Sequence, residues 1–158
     1  MKFKSVDALS QFSFRNATIH QASFENEVWT MELDGTIVKA ENENNTRMED
    51  MYCGTLFVRL KEVKVEQILE EGYKYYDAND VLKEEVPDTI LSLDEYKTIY
   101  QALENAVIFD MMPSKDKEDT WELGVDIGEE DTKTYWITLS FSKSILEWDR
   151  YMNPVKEG

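Results

Sequence analysis

The sequence predicts an α+β domain: a predominantly antiparallel, curved β-sheet (meander) with two or three short helices covering one face or end. Three observations carry this. Trp121, Leu123, Val125 and Ile127 alternate with Glu122, Gly124 and Asp126; after a short Gly-containing loop, Tyr135, Ile137, Leu139 and Phe141 alternate with Trp136, Thr138 and Ser140. Two such period-2 runs read as a hairpin with one core face. Ser92 and Glu95 stand at capping-box spacing ahead of Leu93, Tyr96, Ile99, Tyr100 and Leu103, which share a helical face. Strands and helices do not alternate as βαβ units, and no glycine-rich strand-to-helix turn occurs, which argues against a nucleotide-binding α/β fold.

Taken in order, residues 5–12 predict a short helix, with Ser5 as cap and Val6 and Leu9 three apart. From Ala17 to Phe24 β-favouring residues dominate, and Glu25-Asn26-Glu27 makes a tight turn. Trp29, Met31 and Leu33 then alternate with Thr30, Glu32 and Asp34, completing a first hairpin. The strand is read as running on past Gly35 to Ile37 and Val38, with a bulge at the glycine. Residues 40–51, rich in Asn and Glu, predict a mobile loop. Leu56, Val58 and Leu60 alternate, and the β tendency continues through Val63 and Val65 to Leu69, as one long strand or two with a bend.

The middle stretch, Glu71 to Leu82, packs three tyrosines and several acids and has neither a helical nor a strand period. Pro87 ends regular structure there. After the capped helix, Ala106 to Met112 is a short apolar strand ending at Pro113, and residues 114–119 turn into the second hairpin. Ser144 and Glu147 repeat the capping-box spacing and predict a terminal helix from Ile145 to Met152, stopped by Asn153-Pro154.

Composition bounds the class. A chain of 158 residues is one domain, 1–158, and buries roughly 68–70% of its unfolded surface without needing staples. The 42% hydrophobic and 12% aromatic content excludes a disordered chain. A net charge of −16 repels nucleic-acid phosphates and anionic lipid, so no nucleic-acid or membrane partner is expected; a basic protein is. One cysteine, Cys53, precludes an intrachain disulfide. With no signal-peptide pattern and no long apolar run, the expected location is the cytoplasm.

No catalytic constellation emerges. His20 and Cys53 lie outside any nucleophile signature and read as a surface strand residue and a packing residue. One Cys and one His do not make a zinc site. Asp77-Ala78-Asn79-Asp80 opens like a calcium loop, but Val81 and Leu82 occupy positions that need an oxygen ligand and a glycine. Phosphate-binding glycine motifs are missing. No catalytic, metal or cofactor residue is nominated, and the expectation is a non-enzyme with no cofactor.

The tyrosine stretch has two readings. As a strand, Tyr73 and Tyr75 share one face, with Lys74 and Tyr76 on the other. One face then packs on the core; alternatively, tyrosines ringed by carboxylates form a protein-binding surface. Trp148-Asp149-Arg150-Tyr151 carries the same two readings on the terminal helix. The candidate partner-binding set is Tyr73, Tyr75, Tyr76, Asp77 and Asp80.

Over nearly its whole length the chain resembles a family of small acidic, uncharacterised bacterial proteins. The resemblance rests on Phe12-Ser13-Phe14-Arg15-Asn16-Ala17-Thr18-Ile19, on Glu71 to Asn79, and on Glu147-Trp148-Asp149-Arg150-Tyr151. Members are sometimes labelled subtilin biosynthesis sensor protein, yet this chain lacks a membrane span, a kinase-type phosphoacceptor helix and nucleotide loops. The first segment is also loosely similar to toxin-immunity proteins, with Arg15-Asn16 where those often carry His-Asp. The resemblance transfers no site residues.

The sequence therefore points to a soluble protein-interaction module, immunity-like, whose acidic surface engages a basic partner. The alternatives are a small-molecule-binding protein or enzyme with an aromatic-lined pocket in the curved sheet, and a homo-oligomer.

Overall fold

The computed structural model describes residues 1–156. Its strands are β1 (Phe3–Val6), β2 (Phe12–Ser13), β3 (Thr18–Glu25), β4 (Val28–Asp34), β5 (Ile37–Val38), β6 (Met51–Cys53), β7 (Leu56–Lys61) and β8 (Lys64–Glu70) in the first half. Then follow β9 (Tyr73–Tyr76), β10 (Leu82–Val86), β11 (Thr89–Ile90), the helix α1 (Tyr96–Gln101), β12 (Val107–Pro113), β13 (Thr120–Ile127), β14 (Lys133–Ser140), β15 (Lys143–Trp148) and β16 (Tyr151–Pro154). The α+β expectation holds in its coarse form, a mostly antiparallel sheet. Two or three helices is more than the fold contains: among the described residues there is one short α-helix, with 3₁₀ turns at Leu9–Gln11 and Leu93–Glu95. No helix among them is long and apolar enough to cross a membrane.

Ten strands form one sheet in the order β1-β15-β7-β4-β3-β12-β13-β14-β8-β11, which does not close. Period 2 places the core. Trp29, Met31 and Leu33 of β4 stand opposite Leu60, Val58 and Leu56 of β7, and Leu123 and Val125 of β13 stand opposite Ile137 and Tyr135 of β14. All belong to one contiguous core. The β3–β4 turn is built from Asn26 and Glu27, both at positive φ (52° and 64°), as a tight hairpin requires. β7 passes into β8 through Glu62 and Val63, and β14 into β15 through Phe141 and Ser142. Since β15 pairs with β7 and β14 with β8, the two chains change direction together. The long β tendency is thus two strands with a bend.

The capped helix is where expected. Glu95 reaches back to the Ser92 N–H and hydroxyl, Ile99 and Leu103 join the core, and Tyr100 meets Phe24 and Trp29 edge-on, while Leu93, expected on the same face, is exposed.

Three local expectations are overturned. Residues 5–12 are not a helix: β1 pairs with β15 and places Ser5 in the interior, and only the 3₁₀ turn at Leu9–Gln11 is helical. The terminal helix from Ile145 to Met152 is instead β15 and β16, so Trp148 and Tyr151 lie on strands and Asp149 and Arg150 join them. Ser144 caps nothing; its N–H donates to Asp7 Oδ1 at 2.9 Å and its side chain is buried. Gly35 is no bulge within a strand. At φ +89° it ends β4 and sends the chain into β5 of a second sheet, β16-β6-β5-β2.

The 40–51 segment, expected to be mobile, is pinned by side chains. Asn42 Nδ2 donates to Ser5 Oγ (2.9 Å) and Gln11 Oε1 (3.0 Å). Asn45 Nδ2 reaches the carbonyls of Val38, Lys39 and Glu49, and its Oδ1 accepts from the Arg47 N–H. Both asparagines are buried. Asn45→Ala strips these carbonyls of their donor and is expected to cost about 1–3 kcal/mol of stability, measured by urea unfolding.

Candidate functional site

The segment Glu71 to Asp88 stands apart from this core. Leaving β8, the chain forms β9, turns over residues 77–81, and returns as β10. The two strands pair only with each other, as a separate two-stranded sheet. None of the segment's residues is buried and none belongs to the core. It is an arm.

Two residues fix its root. The Gly72 N–H donates to Asp88 Oδ1 at 2.7 Å. A Cβ at Gly72 would lie 1.8 Å from the Val86 carbonyl oxygen, so the closing strands leave room only for hydrogen there. The tip is organised by Asp77, whose Oδ1 accepts from the N–H groups of Asn79 (2.8 Å) and Val81 (3.0 Å). Asp80, at φ +61°, completes the turn. The bonds from Val81 and then Asn79 hold the Asp77 carboxyl below its ordinary value of 3.8. Because the folded value is lowered, the turn's order is present above 3.8 and lost as pH falls through the lowered value. The amide resonances of Asn79 and Val81 are expected to shift in that window, with core resonances unmoved.

Cross-strand register sorts the arm's two faces. Tyr73 and Tyr75 stand opposite Val86 and Glu84, and the Tyr73 hydroxyl donates to Glu84 Oε1 at 3.0 Å. Tyr76 stands opposite Leu82, and Lys74 opposite Glu85 with an exposed ion pair at 3.7 Å. Tyr73, Tyr75 and Tyr76 are 55%, 58% and 49% exposed. Packing of one face on the core, the first of the two sequence readings, is therefore overturned: a strand that leaves the main sheet at Gly72 has no core to face. Of the five residues expected to bind a partner, the tyrosines are displayed, while Asp77 and Asp80 shape the turn. Val81, Leu82 and Val86 were not singled out, yet they are also exposed large apolar residues. Their apolar character in a Pro- and acid-bounded stretch was the available signal.

Sequence reasoning also missed Trp136. Its indole lies over Gly124, where a Cβ would come within 2.7 Å of the ring, and its N–H donates to Glu71 Oε1 at 2.6 Å. The glycine interrupting a period-2 strand was the clue. This bond ties the arm's first residue to the solvent face of β14.

Elsewhere, Cys53 is buried in the four-stranded sheet and burial pushes its thiol up to about 12, far from a reactive thiolate. His20 is exposed on β3 of the large sheet. No group of three or more His, Cys, Asp or Glu among the described residues is arranged to hold a metal ion. A crevice of about 320 Å³ opens on the solvent side of β3, β4 and β7, where Arg59, Glu32, Glu147 and Phe57 meet a Ser23–Thr30 hydroxyl pair. No protein-family model, curated protein or solved structure matches the chain.

Proposed function

We propose that the protein is a non-catalytic binding module whose arm, Glu71 to Asp88, docks a basic protein, of the kind a toxin presents to an immunity protein. One observation carries this reading. Six large apolar side chains, Tyr73, Tyr75, Tyr76, Val81, Leu82 and Val86, are displayed on a segment that contributes nothing to the core. Around them stand six carboxylates against two lysines. Exposed apolar clusters rimmed by charge mark interaction surfaces, and tyrosines are enriched among residues that dominate binding energy. The whole-chain charge of −16 adds long-range attraction for a basic partner.

The test is a double variant, Tyr76→Ala with Leu82→Ala, which removes one cross-strand apolar pair. Binding of a copurifying basic protein is expected to weaken about thirtyfold, near 2 kcal/mol. Its association rate should fall with added salt, and the urea midpoint of the variant should match the parent. A partner held equally well by the variant, or insensitive to salt, would sink the proposal.

A further inference from the structure

Resting on that reading of the arm, we propose that the partner is captured by strand addition: an extended basic segment pairs along the open edge of β9 as a third strand. Two strands alone are marginal in water, and a third supplies the missing ladder. The β9–β10 sheet has no further strand on either side among the described residues.

The two edges are not equivalent. On β10 the register slips between Leu82 and Glu84, which leaves Lys83 as an extra residue. Each strand carries one exposed lysine, Lys74 on β9 and Lys83 on β10, so the bulge is what separates them: it twists a sheet edge away and makes it unfit for pairing. β9 runs without irregularity from Tyr73 to Tyr76 and presents the usable edge. Strand addition draws affinity from main-chain hydrogen bonds and selectivity from alternate side chains. Tyr73 and Tyr75 offer aromatic rings to every second residue of an incoming strand, and the arm's excess of carboxylates, six against two lysines, favours a basic segment over an acidic one. A second copy of this chain fits poorly, because it would bring its own six carboxylates against these.

The probe is a ten-residue peptide of alternating lysine and valine with blocked ends, titrated into the full chain. Two further versions are N-methylated at alternate residues in either phase, and a glutamate–valine peptide serves as control. Strand addition predicts that the unmethylated lysine peptide binds and slows hydrogen exchange at Tyr73 to Tyr76. Methylation in one phase should weaken it tenfold or more, and in the other phase hardly at all. Equal binding by both methylated versions overturns strand addition and leaves docking through side chains standing. No preference for the lysine peptide over the glutamate control overturns the underlying reading as well. Concentration-dependent self-association that protects the same amides without peptide would assign the edge to a second copy, and the proposal fails.

Discussion

Trp148→Ala is expected to cost about 3–5 kcal/mol of folding stability, a large share of the roughly 5–15 kcal/mol available to a domain. The ring is fully buried and sits where four strands converge. It stacks on Phe3 of β1 at 5.6 Å, meets Phe12 of β2 edge-on at 5.5 Å and Tyr151 of β16 at 6.3 Å, and is itself carried by β15. Truncation leaves a cavity that joins the ten-stranded sheet to the four-stranded one, and neither can close over it alone. Urea unfolding followed by the remaining tryptophans reads the loss. Trp148→Phe is the comparison: it keeps most of the ring and removes an indole N–H that faces the Tyr151 hydroxyl without a well-formed hydrogen bond. A fully unpaired buried donor costs about 1–3 kcal/mol and a poorly paired one less, so its removal offsets part of the lost volume. The phenylalanine variant should remain within about 1.5 kcal/mol of the parent. An alanine variant as stable as the phenylalanine one would show that the aromatic cluster does not join the sheets.

The second large effect is local. Gly72→Ala places a methyl 1.8 Å from the Val86 carbonyl oxygen and 2.5 Å from the Pro87 carbonyl carbon, both backbone atoms. The root of the arm must open, and the 2.7 Å bond from the Gly72 N–H to Asp88 goes with it. Hydrogen-exchange protection across β9 and β10 is expected to fall at least tenfold, and partner binding at least as far as for the Tyr76/Leu82 double variant. The global unfolding free energy should move by less than about 0.5 kcal/mol, as for surface changes away from a core. Loss of core stability on the scale of Trp148→Ala would show that the arm is architecture rather than a docking element.

Legibility followed the range of the signal. The β13–β14 hairpin and the β3–β4 turn were readable because alternation and tight-turn residues act within a few positions. The Ser92 cap was readable for the same reason. Ile145, Leu146 and Trp148 also suit a helix by local spacing, and they became a strand because Phe3 to Val6 pairs with them from the other end of the chain. Asn42 and Asn45 look like solvated loop residues until their partners at Ser5, Gln11 and Val38 are known. The candidate site was legible as a stretch but not in its roles. Three tyrosines within four positions mark Tyr73 to Tyr76 in any reading, yet nothing local says whether a core lies beneath them.

By itself, then, the sequence determined an antiparallel sheet, the capped helix after Ser92 among the two or three helices expected, a net acidic charge, and a segment out of keeping with its neighbours. The tertiary structure decided which strands are neighbours, turned both terminal segments into sheet, and left Glu71 to Asp88 without a core to cover. The physical reason is that alternation specifies which face of a strand is apolar. What that face meets depends on chain segments brought together from far along the sequence.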